Sequence, residues 1–286
     1  MSPFDYLAPA SVDEAVSALH GAGDEARVLA GGMTLLPTMK LELAAPSLLV
    51  DLRRIAALKR IEFEQGELVI GAMTTHNEIA SSALVRQHLP ALAQVAGGIG
   101  DVQVRHRGTI GGSLSNNDPA ADYPAACLGL DARIETTMRT LPASEFFQGL
   151  FTTALEAAEI VTAIRFRPVA KAGYAKFASQ ASRFALVGVF VGELDEGVRV
   201  AVTGAGNDGV MRIPTLERAL AQRFDPSALP AHDIPVESLM ADLHASAVYR
   251  SHLIDVMARR AVHACLGRRS PGLMRHGGFV RFEQER

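Results

Sequence analysis

Two glycine pairs, Gly31-Gly32 and Gly111-Gly112, constrain this chain more than any other feature. Glycine adopts positive φ easily and, lacking a Cβ, lets a ligand reach the main chain, so successive N–H groups can point into one anion-binding concavity. Each pair follows a short apolar or β-branched run and is soon followed by a hydroxyl residue, Thr34 or Ser113. Taken alone, either pair fits a purely structural turn equally well. Taken together, the two turns suggest a clamp for a diphosphate.

Composition limits the classes of protein to which the chain can belong. Its 286 residues, 48% of them hydrophobic, suffice for a large core and for two domains. A net charge of -3 argues against a nucleic-acid partner or an anionic membrane surface. No apolar run is long enough for a membrane span and no signal-peptide pattern opens the chain, so we expect a cytoplasmic protein. Residues 268–286, rich in Arg and Gly, fit either a partner-binding tail or plain disorder.

Local patterns in the first half predict alternating helices and strands. The capping boxes Ser11 to Glu14 and Thr75 to Glu78 should each begin a helix. A further helix is expected over residues 90–97, between Pro90 and Gly97. Another is expected over residues 122–130. Apolar and β-branched runs predict strands near residues 27–30, 48–52, 68–70, 132–137 and 160–166. The first two of these strands, with a helix between them through Met39, form a small βαβ-like unit.

The second half begins with a hairpin signal, residues 186–194 and 198–203 around a turn at Asp195-Glu-Gly197. Beyond it the pattern is mainly helical, notably over residues 236–266, with a polar break or turn inside this region. Gly204 to Gly209 matches the dinucleotide-binding pattern G-x-G-x-x-G, which would suggest a nicotinamide dehydrogenase. However, Pro214 follows too closely for a long helix to leave the loop, and a hairpin strand is not a parallel βαβ unit. We therefore interpret this segment as a glycine-rich loop.

The sequence shows no convincing pair of nucleophile and base. Ser113 and Ser115 lack a suitable histidine, because His106 is flanked by two arginines. The nine histidines show no metal-ligand spacing, and we expect His76 and His106 to be surface or hydrogen-bonding residues. The two cysteines, Cys127 and Cys265, are expected to be buried small hydrophobes. What remains is a binding site in which a cofactor would perform the chemistry.

Several segments, in order and at suitable spacing, resemble one known family. These segments are residues 3–9, 30–40, 100–108, 109–113, 118–126 and 174–178. They resemble the FAD-binding (medium) subunit of molybdenum hydroxylases, the family that includes carbon monoxide dehydrogenase and xanthine dehydrogenase. The resemblance covers most of the chain.

The resemblance implies a set of FAD-binding residues and no catalytic or metal-ligating residue. Ala30 to Thr34, with Val28 and Leu35, would hold the pyrophosphate and adenosine side, and Thr109 to Ser113 would close over the same diphosphate and the ribityl chain. Asp122 would accept hydrogen bonds from cofactor hydroxyls, although a helix N-cap is an equally good role for it. The implied set is Val28, Ala30, Gly31, Gly32, Met33, Thr34, Leu35, Ile99, Thr109, Ile110, Gly111, Gly112, Ser113, Asp122, Ile160, Lys176 and Phe184.

The remaining members of this set would lie near the flavin ring. Lys176 matches a lysine whose charge would stabilise negative charge on the reduced ring. Ile99 and Ile160 match positions that pack on the cofactor, but as β-branched residues they would also suit an ordinary core. Phe184 could cover the ring by stacking. Arg183 stands where the family often has an acidic residue, which leaves the approach of an electron acceptor open.

The fold that the resemblance implies is α+β, with a vanillyl-alcohol-oxidase-like flavin domain. We expect an FAD-binding domain over residues 1–172, made of two α/β subdomains at about 1–54 and 55–172. A smaller C-terminal domain over residues 173–286, with a three-stranded antiparallel sheet and helices, would close over the flavin.

The function that the resemblance implies is that of an FAD-carrying subunit in a molybdenum-containing hydroxylase. Electrons would pass from two [2Fe-2S] clusters on a small subunit to FAD here and on to an acceptor such as NAD or a quinone. Molybdopterin would lie on a large subunit, in a heterotrimer or its dimer. Two cysteines are too few to ligate an iron–sulfur cluster, so the clusters must lie on another chain. A free-standing FAD oxidoreductase and a cofactor-free assembly protein are the alternatives.

Overall fold

The computed structural model describes residues 2–267, which contain eleven α-helices and fourteen strands. The helices are α1 Val12–Ala22, α2 Leu35–Lys40, α3 His76–Ser81, α4 Ala83–His88, α5 Pro90–Gly97, α6 Val102–Arg107, α7 Ile110–Asn116, α8 Tyr123–Gly129, α9 Ala143–Phe146, α10 Pro214–Gln222 and α11 Ala247–Cys265. The strands are β1 Asp5–Leu7, β2 Ala26–Leu29, β3 Leu48–Asp51, β4 Ile61–Glu64, β5 Glu67–Gly71, β6 Arg133–Thr136, β7 Thr140–Pro142, β8 Phe147–Gly149, β9 Thr152–Thr153, β10 Val161–Phe166, β11 Lys171–Ala178, β12 Ala185–Leu194, β13 Gly197–Gly206 and β14 Gly209–Arg212. Among these helices, none has the length and apolar character needed to cross a membrane.

The N-terminal sheet is a small parallel sheet of order β1-β3-β2. Its β2-α2-β3 segment is the βαβ unit that the sequence predicts, with the first glycine pair in the turn between β2 and α2. The capping box at Ser11 is formed in part, since its side chain accepts a hydrogen bond from Glu14 N. Helix α1 buries Ala15 and Leu19 against this sheet. This packing fixes the position of β2, the strand that leads into the first glycine turn.

The central sheet is antiparallel, with order β4-β5-β10-β6-β7. Its β5 is buried along almost its whole length, because helices α3 to α5 and α7 to α8 cover this part of the chain. The cluster of buried side chains also includes Phe190 and Ala201 from the following sheet. One continuous core therefore joins the central sheet to the C-terminal sheet.

The C-terminal sheet is antiparallel, with order β11-β12-β13-β14. One face of β12 packs through Phe190 on the central core, and the other packs through Val187 and Val189 on α10 and α11. Burial on both faces explains why residues 186–194 read as an apolar run with no polar alternation. The α+β fold class is therefore confirmed.

Three details differ from the sequence-based expectations. The C-terminal sheet has four strands rather than three, because the residues after the glycine-rich loop pair with β13 as β14. The region 236–266 is less helical than predicted, since α11 begins only at Ala247 and a 3-10 turn, Val236–Ser238, precedes it. The predicted boundary between residues 172 and 173 falls inside β11. The division into domains stays a prediction, and the tail at 268–286 lies outside the described residues.

A buried arginine secures Gly204 to Gly209, the segment that matches the dinucleotide pattern. The prediction of a loop there was wrong, because the segment is a tight hairpin between β13 and β14. The guanidinium of Arg250 donates hydrogen bonds to the carbonyl oxygens of Leu186, at 2.6 Å, and Gly204, at 2.5 Å. It also donates to Asp242, at 2.7 Å, while only 2% of its side chain is exposed. Gly204 has φ 79° and lies in the antiparallel β13, away from the cavity described below. The arginine therefore ties α11 to the C-terminal sheet.

Replacement of this arginine should destabilise the fold strongly. In Arg250→Met, two buried carbonyls and Asp242 lose their donor, and we expect a loss of about 3 kcal/mol in the free energy of unfolding. Urea denaturation followed by circular dichroism measures this loss. Arg218→Met is the matched control, because Arg218 is exposed and should tolerate the change within about 0.5 kcal/mol. Equal losses in the two variants would contradict a structural role for Arg250.

Candidate functional site

A cavity of about 650 Å³ lies where the three sheets meet. Both glycine turns, the segment from Ala72 to His76, and the loop that carries Phe184 contribute to its wall. Of the seventeen implied cofactor-binding residues, fifteen line this cavity. Ile110 does not, because its side chain is fully buried in the core behind the second turn. Lys176 does not line it either, but it contacts two lining residues, Asp122 and Arg183.

The first glycine turn presents free main-chain donors to the cavity. Within the described chain, the N–H groups of Gly31, Gly32, Met33 and Thr34 have no hydrogen-bond acceptor. Gly32 has φ 75°, a conformation that favours glycine. Successive unpaired N–H groups in such a turn form a concavity of positive potential. This segment can therefore hold an anion.

The second glycine turn uses its N–H groups internally, so the two turns are not equivalent. Ile110 N donates to Thr74 O at 3.1 Å, and Gly111 N donates to Ala72 O at 2.9 Å. Gly112 N donates to the Thr109 hydroxyl at 3.1 Å. The expectation that both turns offer the same amides was wrong, since an adjacent segment takes those of the second. The second turn contributes Thr109, Ser113 and the main chain of Gly111 and Gly112 to the cavity wall.

The two turns touch each other through their backbones. A Cβ built on Gly31 would overlap the carbonyl oxygen of Arg107 and would lie 2.7 Å from the Cα of Gly108. A Cβ on Gly112 would lie 3.2 Å from the Cβ of Ala30. Any side chain at residue 31 would push the turns apart. Glycine at this position thus closes the floor of the cavity.

A buried ion pair forms the wall beneath Phe184. Asp122, 4% exposed, accepts hydrogen bonds from the Tyr174 hydroxyl at 2.6 Å and from Lys176 Nζ at 3.0 Å. Lys176 Nζ also donates to the carbonyl oxygen of Arg183 at 3.0 Å. Burial raises the pKa of Asp122, whereas the charge of Lys176 and the Tyr174 hydrogen bond oppose that rise. The alternative role of Asp122 as an N-cap is not observed, because its side chain makes no cap hydrogen bond.

The loop over the cavity, between β11 and β12, carries Phe184. Arg183 has φ 62° and is exposed, as is Phe184 beside it, at 47%. The loop is held by the hydrogen bond from Ser179 N to Phe184 O, at 2.8 Å. Ile99 lies on another part of the wall, and Ile160 is nearly buried in it at 4% exposure. The cavity wall therefore combines main-chain donors at the first turn with apolar side chains at Ile99, Ile160 and Phe184.

His76 also lines the cavity, although sequence reasoning treated it only as a surface or hydrogen-bonding residue. It is 4% exposed, it begins α3 after the Thr75 capping box, and its backbone N donates to Gly108 O at 3.0 Å. Burial, with a smaller contribution from the charge of Arg105, lowers its pKa to about 4. The ring is therefore neutral at physiological pH. Its position after the capping box, beside a buried strand, was the signal that could have identified it.

Residues 2–267 contain no group of three or more His, Cys, Asp or Glu side chains placed to hold a metal ion. Cys127 is fully buried, and burial raises its pKa above its ordinary range. Cys265 is partly buried, and burial raises its pKa to about 12. Both thiols are therefore protonated at neutral pH and unsuited to nucleophilic attack. The site binds a ligand and supplies no nucleophile of this kind.

Comparison with known proteins gives consistent matches. The family described as FAD binding domain in molybdopterin dehydrogenase matches residues 2–168. The carbon monoxide dehydrogenase medium chain of Hydrogenophaga pseudoflava is 36% identical over 280 residues, covering 93% of this chain and 98% of that one. The nicotine 6-hydroxylase medium subunit of Paenarthrobacter nicotinovorans is 36% identical over 273 residues, covering 90% and 95%.

Solved structures agree with these sequence matches. A chain of the carbon monoxide dehydrogenase of Hydrogenophaga pseudoflava superposes with a TM-score of 0.83 at 34% identity, covering 94% of this chain and 99% of that one. A chain of quinoline 2-oxidoreductase from Pseudomonas putida 86 superposes with a TM-score of 0.82 at 29% identity, covering 92% and 97%. The similarity thus extends across both sheet-forming halves of the chain.

Removing the cation beside Asp122 should destabilise the chain. In Lys176→Met the buried carboxylate loses its positive partner, and we expect a loss of about 3 kcal/mol in unfolding free energy at pH 8. The loss should shrink at lower pH, because protonation of Asp122 removes the unpaired charge. Urea denaturation at pH 8 and pH 5.5 tests this. Lys59→Met, at an exposed lysine, is the control, and an Asp122→Asn/Lys176→Met double variant should recover part of the loss.

The buried His76 should make stability depend on pH. Its pKa is about 4 in the folded chain and about 6.5 when unfolded, so the unfolded state binds more protons between these values. Its stabilising contribution is present above pH 6.5 and is lost as the pH falls toward 4. Between pH 7 and pH 5 the unfolding free energy of the wild-type chain should fall by about 2 kcal/mol more than that of the His76→Phe variant. Parallel pH profiles of unfolding free energy for the two proteins would show that this account is wrong.

Proposed function

Because this chain belongs to the family of FAD-binding medium subunits of molybdenum hydroxylases, we propose that it passes electrons from an iron–sulfur partner through FAD to an external acceptor. The chain is a subunit of an oxidoreductase, and FAD is its cofactor. The observation that best supports FAD at this cavity is the run of four unpaired N–H groups from Gly31 to Thr34. A diphosphate is a ligand that such a run can hold.

The cavity fits FAD in three respects. Its volume of about 650 Å³ lies within the usual range for pockets that hold ligands of drug size or cofactors. The first turn, part of the cavity wall, carries N–H groups that have no acceptor within the described chain, so an anionic group of the ligand can bind there. The walls change from polar at the two turns to apolar at Ile99 and Phe184. A dinucleotide with a charged bridge and an aromatic ring needs this change.

We assign the holding of the cofactor to particular residues. The N–H groups of the first turn would bind the diphosphate, with the hydroxyls of Thr34 and Ser113 beside them. Asp122 would accept hydrogen bonds from cofactor hydroxyls, because it is one of the residues that line the cavity. Lys176 keeps that carboxylate charged and oriented. Phe184 would shield the mouth from water.

FAD, when bound, exchanges electrons one or two at a time, and the protein supplies position and electrostatics. The clusters that deliver electrons must lie on another chain, because two cysteines cannot ligate one. Relatives are named medium chains or medium subunits, which supports small and large partners here. We propose that these carry [2Fe-2S] clusters and molybdopterin, in a heterotrimer or its dimer. A cytoplasmic location remains a prediction.

The glycine at residue 31 provides the test of this proposal. Gly31→Ala should weaken FAD binding by about ten- to a hundredfold, because the added Cβ forces the two turns apart at a cost of about 1–3 kcal/mol. Titration of the purified full chain with FAD, followed by flavin fluorescence, measures the affinity. Gly21→Ala is the control, since a Cβ there meets no atom within 4 Å. A wild-type chain that binds no FAD would refute the proposed site.

Copurification separates a subunit from a free-standing flavoprotein. A tagged chain isolated from its own cells should bring down an iron-containing partner with the absorption of [2Fe-2S] clusters. Molybdenum should be present in the same fraction by elemental analysis. FAD-loaded chain recovered alone, at normal abundance, would favour a free-standing oxidoreductase.

A further inference from the structure

The imidazole of His76 lies in the cavity wall without any hydrogen-bond partner. Neither ring nitrogen is bonded to another residue within the described chain, and Nδ1 is fully shielded from solvent. Two other buried polar side chains of the wall are already paired: Asp122 is bonded to Tyr174 and Lys176, and Thr109 caps α7. A buried polar side chain left unpaired costs about 1–3 kcal/mol. The folded chain keeps His76 at this cost.

The backbone around His76 fixes the ring rather than letting it turn away. Its own N–H is bonded to Gly108 O, and the Thr75 capping box fixes the start of α3. The ring packs over Gly108, where a Cβ would lie 2.5 Å from Nε2. The Cα of Gly108 is also the atom that faces Gly31. His76 therefore lies directly beside the contact between the two turns.

The surroundings determine the chemistry that the ring can offer. Burial and the nearby charge of Arg105 keep it neutral, so one nitrogen carries a hydrogen and the other accepts. Tyr123 packs against the ring with centroids 5.3 Å apart, and its hydroxyl also lacks a partner, but Tyr123 does not line the cavity. Of the two unpaired groups, only His76 can reach a ligand there. A neutral N–H suits a phosphate or hydroxyl oxygen.

We propose that His76 is a further cofactor ligand, whose imidazole N–H donates a hydrogen bond to an oxygen of the nucleotide beside the two glycine turns. This inference rests on the proposed function, because it takes FAD as the occupant of the cavity. It assigns to the segment after β5 a binding role in addition to its support of the second turn. It also gives Nε2 a partner that the described chain does not supply, whereas Nδ1 is shielded from the cavity as well as from solvent.

Two substitutions of His76 test the proposal, one that removes the hydrogen-bond donor and one that keeps it. His76→Phe keeps the ring packing on Tyr123 and removes the donor, and it should weaken FAD binding by about tenfold. His76→Gln keeps an N–H at similar reach and should recover most of that loss. His106→Phe, at an exposed histidine outside the cavity, is the matched control and should bind as the wild type does. The affinities are measured on the full chain by flavin fluorescence, with folding checked by circular dichroism.

A measurement on the unaltered chain keeps the proposal testable if a variant fails to fold. In ¹⁵N-histidine-labelled protein, addition of FAD should move a ring nitrogen resonance of His76 to a value typical of a hydrogen-bonded nitrogen. The resonance is assigned by its absence from the spectrum of His76→Gln. If the wild-type chain binds FAD but His76→Phe binds it equally well, the inference about His76 is wrong and the proposed function stands. The same holds if the wild-type chain binds FAD and the His76 resonance does not move. A wild-type chain that binds no FAD would instead overturn the proposed function.

Discussion

The close approach of two main-chain turns is the contact on which the cavity depends. Gly31 lies against the carbonyl of Arg107 and the Cα of Gly108, with no room for a Cβ. This contact brings the N-terminal sheet to the segment that precedes α7. Because backbone meets backbone, the distance is set by hard atoms and not by adaptable side chains. The floor of the site is therefore rigid even though three sheets contribute to its walls.

The two turns divide the task between them. The first keeps its N–H groups free, whereas the second donates its N–H groups to Ala72, Thr74 and Thr109. Such bonds make the second turn part of the central sheet's framework. A ligand bound by the first turn would thus contact the second turn, whose position the central sheet fixes. This arrangement also places His76, which follows the same segment, within the wall.

The C-terminal sheet is joined to the site by charged side chains as well as by the shared core. Tyr174 and Lys176 reach from β11 to Asp122, which precedes α8. At the far side of the same sheet, Arg250 binds the backbone of β13. Both arrangements bury a charge, which is tolerated only where hydrogen bonds and an opposite charge satisfy it. Lys176 and Arg250 donate to the carbonyl oxygens of Arg183 and Leu186, on either side of Phe184, and so fix the position of this loop over the cavity.

Patterns along the chain determined the α+β class, the capping box at Thr75 and the βαβ unit, because these depend on neighbours within a few residues. The resemblance to the family rested on several segments, in order along the chain, that include both glycine pairs. Tertiary structure decided which amides stay free, that Asp122 pairs with Lys176 instead of capping α8, and that His76 is buried without a partner. Each of these depends on residues brought together from distant segments, and local sequence carries no record of which donor meets which acceptor in space.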